Sequence, residues 1–262
     1  MTDVDNHGSV ERARQRLLEA DSVCVLTGAG VSAESGVPTF RGEDGLWKSH
    51  RAEDLATPGA FRRDPRLVWE WYDWRRGLIG DCRPNRGHEA LARFALDGGP
   101  TVSLVTQNVD GLHEQAAHEA AGSDNPAPAL PLELHGSLFR VKCTSCTYRI
   151  PHRDPIDASS HETLPRCPVC SALLRPHVVW FGEGLDPDVL DGAFQAARAA
   201  DVCLVVGTSA VVQPAASLPL VTLERGGDLV EVNPDPTPLT SRAAFPLQGP
   251  SGEILPELLQ GR

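Results

Sequence analysis

Ser22-Val23-Cys24-Val25-Leu26-Thr27-Gly28-Ala29-Gly30-Val31-Ser32-Ala33 is the stretch that decides the fold. An apolar run without polar alternation, ending at a glycine, suits a strand buried on both faces of a parallel sheet. The turn after it has the form G-x-G-x-x-A. Gly28 allows the tight bend, Gly30 lets backbone approach a pyrophosphate at a helix N-terminus, and the small Ala33 packs helix on strand. Alone, such a turn fits a plain strand-to-helix corner equally well. An ordinary dinucleotide fold also has an acidic residue about 20 positions on, at the end of a second strand. Here residues 38–47 read as a loop, with Glu43 and Asp44 out of that context, so a simple dehydrogenase is disfavoured.

Similar apolar runs follow at Thr101–Thr106, 201–207 and Asp228–Asn233, and 177–181 adds another. Helical segments at 87–96 and 188–200 lie between them. Ahead of the first strand, 9–20 reads as a helix with Val10, Ala13, Leu17 and Leu18 on one side and Ser9 as its cap, after a disordered leader at 1–8. Alternating strands and helices predict an α/β fold, a Rossmann-like doubly wound parallel sheet. Residues 10–48, 87–136 and 177–260 form that part. Residues 49–86, with a helix at 66–78, and 137–176 break the rhythm and are expected to form a small helical and metal-binding part. Residues 116–130 read as a flexible loop of small residues.

The 262 residues suit one globular domain with a small insertion. Hydrophobic residues are 41% and charged residues 23%, so a sizeable core forms and global disorder is excluded. With 24 basic against 35 acidic residues, the net charge of -11 argues against direct binding to nucleic acid or an anionic membrane. No apolar run approaches about 18 residues, and the polar N-terminus lacks a signal-peptide core. The expectation is a cytoplasmic monomer.

Cys143-x2-Cys146 and Cys167-x2-Cys170 stand 20 residues apart. Each pair closes on one metal from a tight turn, and together they complete a tetrahedral thiolate site for zinc. Four thiolates leave no position for water, so the metal is structural. Cys24 and Cys203 sit in apolar strands as inert core residues, and Cys82 carries no argument.

The string Gly28 to Trp47, with Thr106-Gln107-Asn108-Val109-Asp110-Gly111-Leu112-His113, Leu134-His135-Gly136-Ser137 and Gly207-Thr208-Ser209, resembles the sirtuin family of NAD-dependent protein lysine deacylases. The resemblance runs from about residue 10 to 260 in the family's order. It implies a single catalytic domain with NAD as co-substrate, and acyl-lysine and NAD in a cleft between the two parts. It also implies that His135 is the general base for the ribose hydroxyls, and a neutral imidazole suits that task. Asn108 and Asp110 match the pair that grips the nicotinamide ribose and carboxamide, with Gln107 beside them. The glycine turn Gly28, Ala29, Gly30, Ser32, Ala33 and Glu34 faces NAD, and Phe40, Arg41 and Trp47 match the loop over the nicotinamide pocket. Gly207, Thr208 and Ser209 match phosphate and ribose contacts. Asn233 matches an adenosine-ribose contact, Asp235 stands two places on, and Ser251 lines the adenine pocket. Val179, Phe181, Gly182 and Glu183 resemble the segment that takes an acylated-lysine protein as an extended peptide by strand addition.

Trp71-Tyr72-Asp73-Trp74-Arg75-Arg76 bears on the acyl group. Tyr72 and Arg75 are three apart on a helix and share a face, and a guanidinium plus a phenol suits a carboxylate. Tyr-x-x-Arg resembles the branch that removes succinyl and malonyl groups. The competing reading is a helix with a solvated Arg75-Arg76 pair. Arg76, one residue on, is expected to face elsewhere. Two other functions share these residues: an NAD-consuming mono-ADP-ribosyltransferase or NAD hydrolase, and a non-catalytic NAD or acyl-lysine binding module.

Overall fold

A computed structural model describes residues 3–38, 46–48 and 50–260, the side chains of 3–7 and 46 excepted. The chain runs α1 (Asp3–Leu18), β1 (Ser22–Thr27), α2 (Gly30–Ala33), β2 (Leu46–Trp47), β3 (His50–Arg51), α3 (Ala52–Leu55), α4 (Pro58–Arg63), α5 (Pro65–Gly80), α6 (Arg86–Leu96) and β4 (Thr101–Thr106). It continues through α7 (Leu112–Ala121), β5 (Leu132–Glu133), β6 (Gly136–Cys143), β7 (Arg149–Pro151), β8 (Leu174–Val178), α8 (Pro187–Ala199) and β9 (Val202–Val206). It ends with α9 (Leu218–Glu224), β10 (Asp228–Asn233), β11 (Phe245–Gln248) and α10 (Ser251–Leu258).

The main sheet has the order β11-β10-β9-β1-β4-β5, and every pairing is parallel. Strand β1 is central, with Cys24 opposite Ser103 on one side and Cys203 on the other. From β1 the chain winds first toward β5 and later toward β11. The direction therefore reverses between β1 and β9, and a ligand crevice opens there, beyond the carboxyl ends of the strands. Both faces are covered. Val10, Leu17, Leu91, Phe94 and Leu255 pack on Val23, Val25 and Leu204 from one side. Ala193, Ala197 and Leu218 pack on Cys24, Leu26 and Cys203 from the other. Burial on both faces is why these strands are continuous apolar runs.

A second apolar cluster gathers Phe61, Val68, Trp69, Trp71 and Tyr72 of α4 and α5 against Leu138, Val141, Val178 and Trp180. It lies on a three-stranded antiparallel sheet, β7-β6-β8. Asp64 caps α5 through its bond from the Leu67 amide, and Pro65 occupies the first turn, where a missing N–H costs nothing.

Three expectations are corrected. Helix α1 begins at Asp3, so residues 3–8 are helical where a disordered leader was expected, and Ser9 lies inside the helix. Of the 116–130 stretch expected as a loop, 116–121 belong to α7 and Ala127–Ala129 form a 3-10 turn. The run at 177–181 adds no strand to the main sheet, because 177 and 178 end β8, which pairs antiparallel with β6. Among the described residues no helix is long and apolar enough to cross a membrane.

Candidate active site

At the reversal point three glycines meet backbone to backbone. A Cβ on Gly28 would lie 2.7 Å from Thr208 Cβ, and one on Gly30 would lie 2.8 Å from the Gly207 carbonyl oxygen. Gly207 has φ +58, and its Cβ would lie 2.4 Å from the Val31 nitrogen. The Gly30 amide donates to Gly207 O at 2.8 Å. Gly28 and Gly30 are thus required by contact with the loop after β9. Ala33, expected to pack helix on strand, is exposed, because α2 is a single turn.

Beneath this corner lies a directed chain of hydrogen bonds. The Asn85 amide donates to His88 Nδ1 at 3.3 Å, so the His88 proton sits on Nε2, 3.3 Å from Ser32 Oγ. Ser32 Oγ also accepts from Asn108 Nδ2 at 3.0 Å, and its hydroxyl bonds the Asp110 carboxylate. Asn108 Nδ2 reaches Gly28 O at 3.1 Å, and Asp110 Oδ1 accepts from the Leu112 amide at 2.9 Å. A parallel branch runs from His113 Nε2 to Thr27 Oγ1 (3.0 Å) and on to Thr106 Oγ1 (2.8 Å), which accepts from the Asn108 amide at 3.1 Å. Burial pulls His88 down to about 4 and His113 well below its ordinary value, so both rings are neutral. Burial raises the Asp110 carboxyl, with the Leu112 amide, the Ser32 hydroxyl and Arg75 opposing. Asn108 and Asp110 are held rigidly by this lattice.

His135 stands where β5 passes into β6. Its Nδ1 lies 2.9 Å from Gln107 O. A carbonyl only accepts, so Nδ1 carries the proton and Nε2 is the basic nitrogen. Burial lowers the His135 pKa and the Gln107 bond partly offsets this, so the ring is neutral at pH 7. Gly136 follows by necessity, since at φ +76 its Cβ would lie 2.1 Å from His177 O. Gly136→Ala is expected to cost about 2–5 kcal/mol from backbone strain plus the clash. An unchanged melting temperature in that variant would contradict the close β6–β8 approach.

The segment after β8 hangs on the same strand. The Val179 amide donates to His135 O at 2.9 Å, and the Phe181 amide to Ala56 O at 2.9 Å. Phe181 is 60% exposed, and Gly182 has φ +87. Glu183 is turned inward. Both its carboxylate oxygens accept from Arg175, at 2.5 and 2.9 Å, and Oε2 also accepts from the Trp180 amide. Its carboxylate therefore shapes the loop.

Tyr72 is fully buried, and Arg75 and Arg76 are only 8% and 4% exposed. The solvated Arg-Arg reading is thereby excluded. Tyr72 Oη accepts from Trp180 Nε1 at 2.8 Å, which leaves its own proton to donate. Burial pushes the Tyr72 hydroxyl up to about 12, against the opposing charge of Arg75, so it stays protonated. Burial pulls Arg75 down to about 10, against Tyr72 and Asp110, and its guanidinium lies 5.2 Å from the Trp71 ring. Arg76 faces elsewhere, donating to His152 O at 2.6 Å and Asp154 O at 3.0 Å.

Other expected contacts disperse around the crevice. Gln107 Nε2 donates to Thr208 Oγ1 at 3.0 Å, and Ser209 follows, half-buried. Asn233 Nδ2 donates to the exposed Asp235 backbone O at 2.6 Å. Glu34 Oε1 accepts from Ser251 Oγ at 3.0 Å and from the Gly252 amide at 2.8 Å, tying the glycine corner to α10. Ala29 is the exposed middle of the corner. Trp47 packs into the second apolar cluster, 6.1 Å from Trp74. Phe40 and Arg41 lie outside the described residues.

The Sγ atoms of Cys143, Cys146, Cys167 and Cys170 lie within 4.8 Å of one another, with cross-pair distances of 3.4 and 3.6 Å. All four are free thiols. Four sulfurs at about 2.3 Å from a tetrahedral zinc stand about 3.8 Å apart, so the set fits one zinc with no open position. The Ser145 and Cys146 amides point at Cys143 Sγ, at 3.3 and 3.4 Å. Such bonds stabilise a thiolate.

The pattern of the Sir2 family matches residues 28–214. The chain belongs to the Sir2 family. An NAD-dependent protein deacylase of Pyrococcus furiosus is 51% identical over 246 residues, covering 93% of this chain and 94% of that one. A Sir2 homolog solved as an NAD complex superposes with a TM-score of 0.85 at 49% identity, over 95% of this chain and 92% of that one. A Sir2 protein solved with a p53 peptide and NAD+ gives a TM-score of 0.79 at 30% identity, over 94% and 95%.

In this Sir2 chain, sequence reasoning missed His88, His113, Thr27 and Thr106. The capping box Asn85-x-x-His88 was a usable signal for His88. The two threonines end apolar strands, where they read as strand formers. Glu133 and Arg140 were also missed, although both flank the quoted Leu134-His135-Gly136-Ser137.

Proposed function

We propose that this Sir2-family protein is an NAD-dependent protein-lysine deacylase that removes acetyl groups and also succinyl and malonyl groups. The observation that carries the acyl reading is that Tyr72 and Arg75 are buried together, with the Arg75 charge also felt by Asp110. A buried guanidinium can fork onto a bound acyl carboxylate with two charge-assisted bonds. The Tyr72 proton supplies a third bond.

The general base is His135 through Nε2. The nicotinamide–ribose bond of NAD breaks as the acyl oxygen captures the ribose carbon. Nε2 then takes a proton from a ribose hydroxyl, and that oxygen attacks the imidate carbon. The bond from that carbon to the lysine nitrogen breaks, the amine leaves with a proton, and water adds at the same carbon, giving nicotinamide, O-acyl-ADP-ribose and free lysine. Asn108 and Asp110, pre-set by Ser32, orient the nicotinamide ribose without rearrangement. The corner Gly28 to Ser32, with Gln107, Thr208 and Ser209, holds the phosphates and ribose, and Asn233, Asp235 and Ser251 the adenosine end. Val179, Phe181 and Gly182 offer backbone to an extended acylated peptide, a mode that reads little side-chain sequence. Zinc on the four cysteines supplies structure, with no open coordination site for chemistry.

Arg75→Met tests the acyl reading. Desuccinylation kcat/KM is expected to fall about 100-fold or more, while deacetylation changes by only a few-fold. Equal loss of both activities would remove the carboxylate role from Arg75.

A further inference from the structure

Two residues before His135, a buried acid engages an arginine five residues after it. Arg140 Nη1 donates to Glu133 Oε2, and Arg140 Nη2 lies 3.5 Å from Glu114 Oε2. The Glu133 side chain is 8% exposed, against 34% for Arg140 and 35% for Glu114. The backbone on either side of His135 is otherwise held by the Leu134 amide, which donates to Thr106 O at 2.9 Å, and by the Val179 amide, which donates to His135 O at 2.9 Å. Strand β5 is two residues long at the sheet edge, paired only as Val105–Leu132 and Thr106–Glu133. Glu114 sits in the first turn of α7, whose first amide, that of Leu112, donates to Asp110 Oδ1.

We propose that Glu133 is a positioning residue for His135: through Arg140 it closes a ring around His135 and ties that ring to the start of α7, where Asp110 lies. The proposal rests on the deacylase reading above. Charge-assisted pairs that join three elements fix geometry more tightly than a two-residue ladder does. A general base displaced by a fraction of an ångström loses rate, while a step it does not serve is spared. Arg140 and Glu114 face Glu133 directly, and Asp110 acts on it at longer range. Burial pushes the Glu133 acid up to about 7, so the ion is held at a cost to the fold.

The test compares Glu133→Gln and Arg140→Lys with the parent protein at pH 8, with saturating NAD and an acetyl-lysine peptide. Two rates are measured: loss of acetyl, and exchange of labelled nicotinamide into NAD. The exchange precedes the proton transfer to His135. Glu133→Gln is expected to slow acetyl loss about tenfold and leave exchange within twofold. Arg140→Lys, which keeps the charge without the fork, is expected to shift the same ratio in the same direction. Parallel loss of both rates, or unchanged rates, would overturn the proposal. If the parent protein shows no exchange at all, the deacylase reading fails instead.

Discussion

Replacing His135 with Asn is expected to reduce deacylation about 10³-fold while nicotinamide exchange from NAD continues. The expectation follows from the proton bookkeeping at one ring. Nδ1 is committed to Gln107 O, so Nε2 alone can accept a proton. A positioned general base contributes about 10²–10⁴-fold, and asparagine keeps a donor toward Gln107 without supplying a base. The pH dependence has a definite sign. Burial lowers the His135 pKa from its ordinary value, so the neutral ring predominates at pH 7 and above. Deacylation then falls only as pH drops through that lowered value. A His135→Asn protein that deacylates at the parent rate would remove the ring from the mechanism.

Stripping zinc is expected to have the largest effect on stability. The four cysteines bracket the small sheet, with Cys143 ending β6 and Cys170 preceding β8. Strand β8 leads to the Val179 amide that holds His135 O, so the metal clamp and the general base share one backbone path. Structural zinc sites in peptides contribute about 10–16 kcal/mol of apparent binding free energy. If even a third of that is lost, the melting temperature of a chain this size falls on the order of 10 °C. Activity should fall with it and return on adding zinc after gentle chelation. A chelated protein free of zinc by metal analysis, with the same melting temperature, would contradict a structural role.

The parallel sheet was legible because strands buried on both faces have no polar alternation, and β1, β4, β9 and β10 each show it. The cysteine spacing was legible because a tetrahedral site needs two tight turns and nothing else. Helix α7 was not. Within the stretch read as a loop it buries only Ala116 and Ala117, against Ala92 and Ala129, and a search for large apolar residues at helical spacing passes over it. The run at 177–181 was apolar enough for a strand, but which sheet a strand joins is a tertiary matter, settled here by β6. The role of Gly28 and Gly30 was half read. Their sequence context fits phosphate binding, yet the requirement the structure shows is closeness to Gly207, 177 residues further along from Gly30. The relay through His88 and Ser32 joins residues 56 positions apart, and no local pattern reports such a pairing.

Product analysis by mass spectrometry tests the central claim most directly. One peptide is prepared with acetyl-, succinyl- or malonyl-lysine and incubated with the purified protein, with and without NAD. The account predicts NAD-dependent loss of each acyl group, with nicotinamide and the matching O-acyl-ADP-ribose formed in equal amounts, O-succinyl-ADP-ribose included. Loss of acetyl alone would leave the deacylase chemistry standing and contradict the carboxylate pocket at Tyr72 and Arg75. ADP-ribosylated protein without any acyl-ADP-ribose would contradict deacylation itself.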